Sequence, residues 1–288
     1  MSAPTGSFAG LSEISDRYDA IFCDVWGVVH NGLAAYQTAV EALLAFRRGG
    51  GRVVLITNAP RPSAPIIAML DLFGVPRATY DAVVSSGDAT RVMIAPYRGR
   101  VIHHVGPPII DDALYEGLGV IRGSAEQAEA VVVTDLDHDE DTPDDYDERM
   151  ALWLERELPL ICANPDKVVE VGDLLLYCGG ALADVYAERG GEVLMAGKPF
   201  VPIYDEALRL AEAAAGRPID RSRILAIGDS VRTDATGAAA FGIDLLFITG
   251  SIHADELDAF GTPDPEAVLD LVAPSGATLA GFMPRLAW

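Results

Sequence analysis

The sequence is poor in basic residues, and this shortage excludes two classes of partner. Of its 288 residues, 21 are Lys or Arg and 43 are Asp or Glu, which gives a formal net charge of −22. Binding to nucleic acid and to anionic membrane surfaces both depend on basic patches. We therefore expect neither nucleic acid nor a membrane among the partners of this chain.

Cysteines and long apolar runs are also scarce. Cys23, Cys162 and Cys178 are too few and too scattered for a disulfide framework or a zinc site. The longest apolar runs, such as 53–56 and 245–248, have the length of strands, whereas a membrane helix needs about 20 residues. The first residues lack the basic and apolar regions of a signal peptide. Because half of the residues are apolar, we expect a sizeable core in a cytoplasmic, globular protein.

Short apolar runs alternate with helical patterns along most of the chain. Strands are predicted at 20–23, 53–56, 83–84, 224–227 and 245–248, and helices at 36–48, 66–73 and 236–241. Alternation of this kind implies parallel strands, so we predict an α/β fold with a doubly wound, Rossmann-like sheet. Three further predicted strands, at 101–105, 130–133 and 160–162, indicate a second unit, in keeping with a length of about two domains.

An acidic segment from Asp135 to Glu148 lies between two strands of the second unit. A calcium-binding loop needs ligands at fixed spacing and a central glycine, and this segment contains no glycine. We interpret it as a solvated loop that precedes a helix at 146–157. The adjacent His103 and His104 lie on a predicted strand and point to opposite faces, so we expect structural roles for them rather than a metal site.

Polar residues follow three of the predicted strands. Asp24 follows the first strand, Thr57 and Asn58 follow the second, and Asp229 follows the strand at 224–227. The carboxyl ends of parallel strands form the edge at which such sheets bind ligands. Lys198, one of only two lysines in the chain, stands in a Gly-Lys-Pro segment. We predict that these five side chains meet at one edge of the sheet.

This set of side chains suits phosphoryl transfer. Asp24 can act as a carboxylate nucleophile and form an aspartyl-phosphate. Mg²⁺ prefers oxygen ligands, and Asp24 and Asp229 supply two carboxylates. Thr57 and Asn58 can donate hydrogen bonds to phosphoryl oxygens, while Lys198 can neutralise charge on the nucleophile and the phosphate together.

The segments DVWGV, TN, GKP and GDSVRTD occur in this order and resemble the motifs of the haloacid dehalogenase superfamily. The resemblance covers nearly the whole chain and looks like class IIA, which includes sugar-phosphate and 4-nitrophenylphosphate phosphatases. It implies an inserted α/β type II cap in the roughly 140 residues between Asn58 and Lys198. The expected domains are a core at 1–90 and 193–288 and a cap at 91–192.

The resemblance also implies roles for single residues. Asp24 is the expected nucleophile, and Mg²⁺ is expected on Asp24, on Asp229 and on the backbone carbonyl of Trp26. The cap is expected to close over the site and to select the substrate, a small phosphomonoester such as a sugar phosphate. Members of this class often form homodimers through the cap, so a second copy of the chain is the protein partner that the resemblance implies.

Trp26 departs from the family's pattern. Phosphatases of the family usually carry a second Asp at this position as general acid and base, and an indole cannot take that role. Loss of a positioned acid–base lowers the rate typically 10²–10⁴-fold. Three alternatives stay open: a slow phosphatase, a leaving group that needs little protonation, or another acid, for which His30 is the nearest candidate.

Two other functions compete with a slowed, Mg²⁺-dependent phosphatase. An aromatic residue at position 26 is similar to the dehalogenase branch of the superfamily. The retained Asp229 and the position of the insertion count against dehalogenation. The second competitor is a non-catalytic, phospholigand-binding homologue that keeps the metal and phosphate sites without turnover.

Overall fold

The computed structural model describes residues 6–107, 111–171, 174–257 and 263–288. Its strands are β1 (Ala20–Asp24), β2 (Arg52–Thr57), β3 (Ala82–Ser85), β4 (Val101–Val105), β5 (Ile121–Arg122), β6 (Val131–Val133), β7 (Leu160–Cys162), β8 (Val168–Val171), β9 (Leu174–Tyr177), β10 (Val193–Met195), β11 (Ile224–Gly228), β12 (Asp244–Ile248) and β13 (Thr278–Met283). Its α-helices are α1 (Gln37–Arg48), α2 (Ser63–Leu72), α3 (Ser86–Ile94), α4 (Asp112–Tyr115), α5 (Asp147–Glu155), α6 (Gly179–Glu188), α7 (Val201–Ala215), α8 (Thr236–Phe241) and α9 (Pro265–Val272).

The first sheet is parallel and has the strand order β13-β12-β11-β1-β2-β3. The central strand β1 is buried on both faces. Ile21 and Cys23 pack into the apolar core on one side of the sheet, and Ala20 and Phe22 pack into the core on the other. Helices on both faces supply that burial, as all-parallel sheets require. The predicted doubly wound α/β fold is therefore confirmed.

A second parallel sheet has the order β10-β7-β6-β4-β5. Three of its strands are those predicted from the apolar runs at 101–105, 130–133 and 160–162. Trp153 of α5 and Tyr186 of α6 are fully buried against one face of this sheet. Strand β10 pairs with β7, with Val193 opposite Leu160. The second sheet thus extends to Met195, three residues past the expected end of the inserted unit, which stays a prediction.

The acidic segment is only partly the solvated loop expected from sequence. Tyr146 is buried, and its hydroxyl donates to Asp141 at 2.8 Å and accepts the backbone N–H of Asp137 at 2.5 Å. A 3₁₀ turn at Pro143–Tyr146 precedes α5, so the α-helix begins at Asp147, one residue later than predicted. The aromatic ring anchors the segment because its hydroxyl finds two polar partners at the edge of the core.

His103 and His104 of β4 make separate contacts, as predicted. Nδ1 of His103 lies 3.1 Å from the carbonyl of Gly123, and Nδ1 of His104 lies 3.0 Å from the hydroxyl of Tyr115. Burial lowers the pKa of His104 to about 4, so it is neutral near pH 7. Within the described ranges, no helix has the length and apolar character needed to cross a membrane.

Candidate active site

The predicted site residues meet at the carboxyl edge of the first sheet. Asp24 ends β1, Thr57 ends β2 beside it, and Asp229 directly follows β11 on the other side of β1. The strand order reverses between β1 and β11, because the chain continues from β1 to β2 and returns to β11 much later. Such a reversal opens a crevice at the carboxyl ends of the strands, where doubly wound sheets bind ligands.

Lys198 joins two carboxylates in this crevice. Its Nζ lies 2.7 Å from Oδ1 of Asp24 and 2.7 Å from Oδ1 of Asp234, and the lysine is 2% exposed. Burial alone would lower the pKa of Lys198, but the carboxylates of Asp234 and Asp24 outweigh it and raise the pKa well above its ordinary value. The side chain is therefore a fixed positive charge next to the predicted nucleophile.

Asp234 holds the lysine and the loop after β11 at once. Its Oδ1 binds Lys198, while its Oδ2 accepts the backbone N–H groups of Asp229 and Ser230, each at 3.2 Å. Gly228 permits this close approach, since a Cβ at that position would lie 2.1 Å from the Asp234 carboxyl carbon. Asp234 lies in the segment GDSVRTD, and no role for it follows from the sequence pattern alone.

Three carboxylates face each other across the crevice. Asp24, Asp229 and Asp234 each place an oxygen within 4.8 Å of the others. Burial, with the neighbouring charge of Asp234, raises the pKa of Asp24 well above its ordinary value and that of Asp229 to about 7. The set fits a divalent cation, because hard cations prefer carboxylate oxygens and would offset the negative charge that Lys198 alone leaves in excess.

Gly27 keeps Asp229 within reach of Asp24. Its backbone has φ +80°, in the left-handed region that favours glycine. A Cβ at this position would lie 2.1 Å from Oδ2 of Asp229 and 2.4 Å from Oγ of Ser251. The glycine that follows Trp26 therefore leaves room for the carboxylate that the metal assignment requires.

Thr57 and Asn58 take different parts in the site. The Thr57 hydroxyl accepts the backbone N–H of Ala59 at 3.1 Å and keeps its own proton to donate. The Asn58 amide is engaged with the protein: Oδ1 accepts the backbone N–H of Lys198 at 2.7 Å, and Nδ2 donates to Asp166 at 3.0 Å. Asn58 therefore positions the lysine segment, and its amide donates to Asp166 instead of being free for the phosphate contact predicted from sequence.

His30 does not have the properties of the substitute acid. Its ring is fully buried, and it makes edge contacts with Trp26 and Phe73 at centroid distances of 5.0 and 5.1 Å. Its Nδ1 accepts the backbone N–H of Gly32 at 2.9 Å. Burial lowers its pKa to about 4, so the ring is neutral and donates a proton poorly near pH 7. Its complete burial keeps the ring away from bulk solvent.

A cavity of about 600 Å³ opens from Asp24 toward the second sheet. Part of its wall is apolar and comes from α2 and from the β8–β9 hairpin. Its apolar lining includes Trp26, Ile66, Met69, Val169, Leu176 and Tyr177. The volume accommodates a phosphate together with a small organic group.

Asp166 is a residue of this cavity that sequence reasoning missed. It follows β7 of the second sheet and accepts the hydrogen bond from Asn58 across the crevice. Burial raises its pKa above the ordinary value, and Lys198 lowers it in part. The signal was present, because Asn164 and Asp166 are polar residues after a predicted strand, the same pattern that identified Asp24 and Asp229.

Two family models match the chain in the segments that build this site. One, described as haloacid dehalogenase-like hydrolase, matches residues 21–120, and one described as HAD-hydrolase-like matches residues 195–274. A haloacid dehalogenase-like hydrolase from Brucella suis is 45% identical, covers 96% of this chain and 98% of its own, and has a TM-score of 0.85. The chain belongs to the haloacid dehalogenase-like hydrolases. No curated protein matches it.

More distant structures share the fold. A possible sugar phosphatase from Cytophaga hutchinsonii is 18% identical, with a TM-score of 0.75 and coverage of 97% of this chain and 98% of that one. A magnesium complex of a glycerol phosphate phosphatase from Mycobacterium tuberculosis is 23% identical, with a TM-score of 0.62 and coverage of 88% and 74%. The family predicted from the four motifs is thus confirmed.

Proposed function

We propose that this haloacid dehalogenase-like hydrolase is a Mg²⁺-dependent phosphatase that acts on a small phosphomonoester through an aspartyl-phosphate on Asp24. The observation that carries the proposal is the Lys198 ammonium held at 2.7 Å from both Asp24 and Asp234, beside Asp229. Buried charges arranged in this way stabilise the charge that develops on a transferring phosphoryl group. The similar phosphatase folds support the same reaction class.

The metal would be held by the carboxylates of Asp24 and Asp229 and by the carbonyl of Trp26. When bound, Mg²⁺ supplies positive charge to the phosphoryl oxygens and to the nucleophile. The chain's own groups orient the reaction. Lys198 and the backbone N–H of Val25 both contact Oδ1 of Asp24, at 2.7 Å each, and so fix the carboxylate in place.

Residues around the nucleophile would then hold the phosphate. The Thr57 hydroxyl has a proton to donate to a phosphoryl oxygen, and Lys198 offsets the charge of a dianionic ester. We propose that the second sheet and its helices form the inserted cap, from residue 91 to Met195, between core segments 1–90 and 196–288. The apolar wall of the cavity would bind the organic part of the substrate.

One specific observation favours a second candidate. Trp26 has no proton to give where the family's phosphatases usually carry an acid, and a chain without turnover would still bind a phosphorylated ligand. This non-catalytic homologue and the phosphatase differ in one measurable outcome, the release of phosphate from an ester.

The test is phosphate release from a panel of metabolite phosphates and 4-nitrophenyl phosphate, with Mg²⁺ and with EDTA. We expect release that needs Mg²⁺ and is absent in the Asp24→Asn variant. Beryllofluoride should form an adduct on Asp24 of the wild type. An adduct without phosphate release from any ester would favour the non-catalytic homologue, and absence of both would contradict the phosphoryl-transfer site itself.

A further inference from the structure

Hydrolysis of an ester with a poor leaving group needs a proton at the leaving oxygen. In an in-line displacement, the leaving oxygen lies opposite the attacking oxygen of Asp24. The cavity that Asp24 lines has a second side formed by loops of the second sheet. A proton donor is therefore to be sought among the titratable residues that this side contributes to the cavity.

Asp166, in the loop after β7, is linked to the nucleophile by a short chain of hydrogen bonds. It accepts from Nδ2 of Asn58 at 3.0 Å, Oδ1 of the same amide accepts the backbone N–H of Lys198 at 2.7 Å, and Nζ of Lys198 binds Asp24 at 2.7 Å. One asparagine thus separates Asp166 from the lysine that holds the nucleophile.

The other acidic residues on that side belong to a different group. Asp111 accepts from the Thr134 hydroxyl at 2.5 Å and faces Arg61 at 3.9 Å. Asp135 accepts the backbone N–H of Leu136 and has Asp111, Asp139 and Arg61 as its charged neighbours. The charged neighbours of Asp166 are Lys198 and Asp234 instead, which places it beside the reacting groups.

We propose that Asp166 is the general acid and base of this enzyme and replaces the acid that Trp26 cannot supply. The inference rests on the proposed phosphatase function. Its carboxyl is enclosed by protein yet borders the cavity, and burial favours the protonated form that an acid needs. Its carboxyl accepts from Asn58 through Oδ1 and also has a side-chain hydrogen bond with Thr233. A protonated carboxyl keeps an O–H donor beside these acceptor contacts, and this donor can serve the substrate.

The two half-reactions balance with Asp166 in this role. In the first, a carboxylate oxygen of Asp24 bonds to phosphorus, the phosphorus–oxygen bond to the leaving group breaks, and Asp166 gives its proton to that oxygen to release the alcohol. In the second, the Asp166 carboxylate takes a proton from water, the water oxygen bonds to phosphorus, and the bond to Asp24 breaks to release phosphate. Asp166 ends protonated, as it began.

The test compares two esters in the Asp166→Asn variant, which keeps the size of the side chain and an oxygen for Asn58. For an alkyl phosphate we expect kcat/KM to fall about 10²–10⁴-fold, since a positioned acid contributes that much. For 4-nitrophenyl phosphate, whose leaving group departs without a proton, we expect a loss below about tenfold. Adding Trp26→Asp to this variant should restore part of the alkyl phosphatase activity.

Asp184→Asn is the matched control, because Asp184 also reaches across the crevice, to Arg232 at 2.7 Å, but does not line the cavity. Its effect should be the same for both esters. Equal losses on the two esters in Asp166→Asn would overturn the proposal and leave Asp166 a positioning residue.

A second measurement needs no variant. For a series of aryl phosphates, the wild-type rate should depend weakly on the pKa of the leaving group, and a steep dependence would overturn the proposal. Asp166→Asn should still form the beryllofluoride adduct and release 4-nitrophenol. If the wild type hydrolyses neither ester, the phosphatase function fails, and the assignment of Asp166 fails with it.

Discussion

Among the site residues, we expect replacement of Lys198 to lower stability and activity most. Replacing it with Met leaves Asp24 and Asp234 buried without the ammonium that lies 2.7 Å from each. Removing one partner of a buried ion pair costs about 3–5 kcal/mol of unfolding free energy. We expect Lys198→Met to lose that much in chemical denaturation without Mg²⁺, and to lower kcat by at least about 10²-fold.

The chain offers a matched control in its other lysine. Lys167 is half exposed and pairs with Asp184 at 2.5 Å near the surface. Exposed pairs contribute about 0–1 kcal/mol, so Lys167→Met should change the unfolding free energy by less than about 1 kcal/mol. Similar losses of stability in the two variants would contradict the assignment of Lys198 as the buried counter-ion of the site.

The carboxylates of the site predict how stability depends on pH. The folded protein holds a proton on Asp229 more tightly than the unfolded chain does, because the pKa of Asp229 is raised to about 7 and that of Asp24 is raised well above its ordinary value. Stability from these groups is therefore present at low pH and is lost as pH rises through about 7. His30 and His104, with pKa values lowered to about 4, act in the opposite sense below about pH 6.5.

The informative comparison is between the wild type and Asp229→Asn from pH 6.5 to 8, because the two histidines, which still lose protons in the unfolded chain near pH 6.5, contribute equally to both proteins. We expect Tm measured in EDTA to fall across this window relative to that of Asp229→Asn, and Mg²⁺ to raise the wild-type Tm more at pH 8 than at pH 6.5, because the ion binds the deprotonated carboxylates. Scanning calorimetry of the wild type and of Asp229→Asn would check this. A fall in Tm that is equally large in Asp229→Asn would refute the role of Asp229.

The site residues that could be predicted from sequence are those whose position is determined by the strand that directly precedes them. Asp24 and Asp229 follow apolar strands, so a parallel sheet brings them to one edge whatever the rest of the chain does. The contact of Asn58 with Asp166 joins residues 108 positions apart, and no local pattern specifies that pairing. The direction of the Asn58 amide was missed for the same reason, since packing and not the strand pattern decides it.

At the level of strands and loops, apolar runs predicted most of the buried strands but missed the buried β13, and they failed for the hairpin of β8 and β9. Prediction from apolar periodicity assumes that apolar residues are buried. Leu174 and Leu175 of β9 are 65% and 62% exposed, so their strand shows no buried face. Other hairpin residues, among them Val169 and Leu176, line the cavity. This role depends on how the two sheets face each other, which no local pattern specifies.

The turn after β1 carries a prediction about the metal site. Gly27→Ala would place a Cβ 2.1 Å from Oδ2 of Asp229 and would also strain a backbone with φ +80°. We expect the variant to lose the rise in Tm that Mg²⁺ gives the wild type, and to lose most of its phosphatase activity. Thermal unfolding with and without Mg²⁺, together with phosphate release, measures both effects.

Gly216→Ala separates the clash from the strain. Gly216 ends α7 with φ +67°, and a Cβ there would meet no atom within 4 Å. It should lose about 1 kcal/mol of stability from the left-handed backbone alone and keep its full response to Mg²⁺. If Gly27→Ala also kept that response, the close packing of Gly27 on Asp229 would have no part in metal binding.

Across the whole molecule, the proposed core and cap are joined by polar contacts around the crevice. Arg232, in the turn after β11, pairs with Asp184 of α6 at 2.7 Å, and both side chains are partly exposed. The pair can form only when the two sheets face each other as they do here. It should therefore favour the closed arrangement by no more than about 1 kcal/mol, the usual contribution of an exposed pair.

Arg232→Gln should lower kcat/KM by up to about fivefold, because about 1 kcal/mol corresponds to that factor. The variant should leave unchanged the rise in Tm given by Mg²⁺.

The loss of kcat/KM should also depend on salt, since exposed ion pairs are screened. Raising NaCl from 0.05 to 0.5 M should lower kcat/KM of the wild type more than that of Arg232→Gln, so that the two converge. Arg209→Gln is the control, because Arg209 pairs with Glu206 within α7 and spans no interface. A wild type and an Arg232→Gln variant that respond to salt in parallel would show that this pair does not contribute to closure.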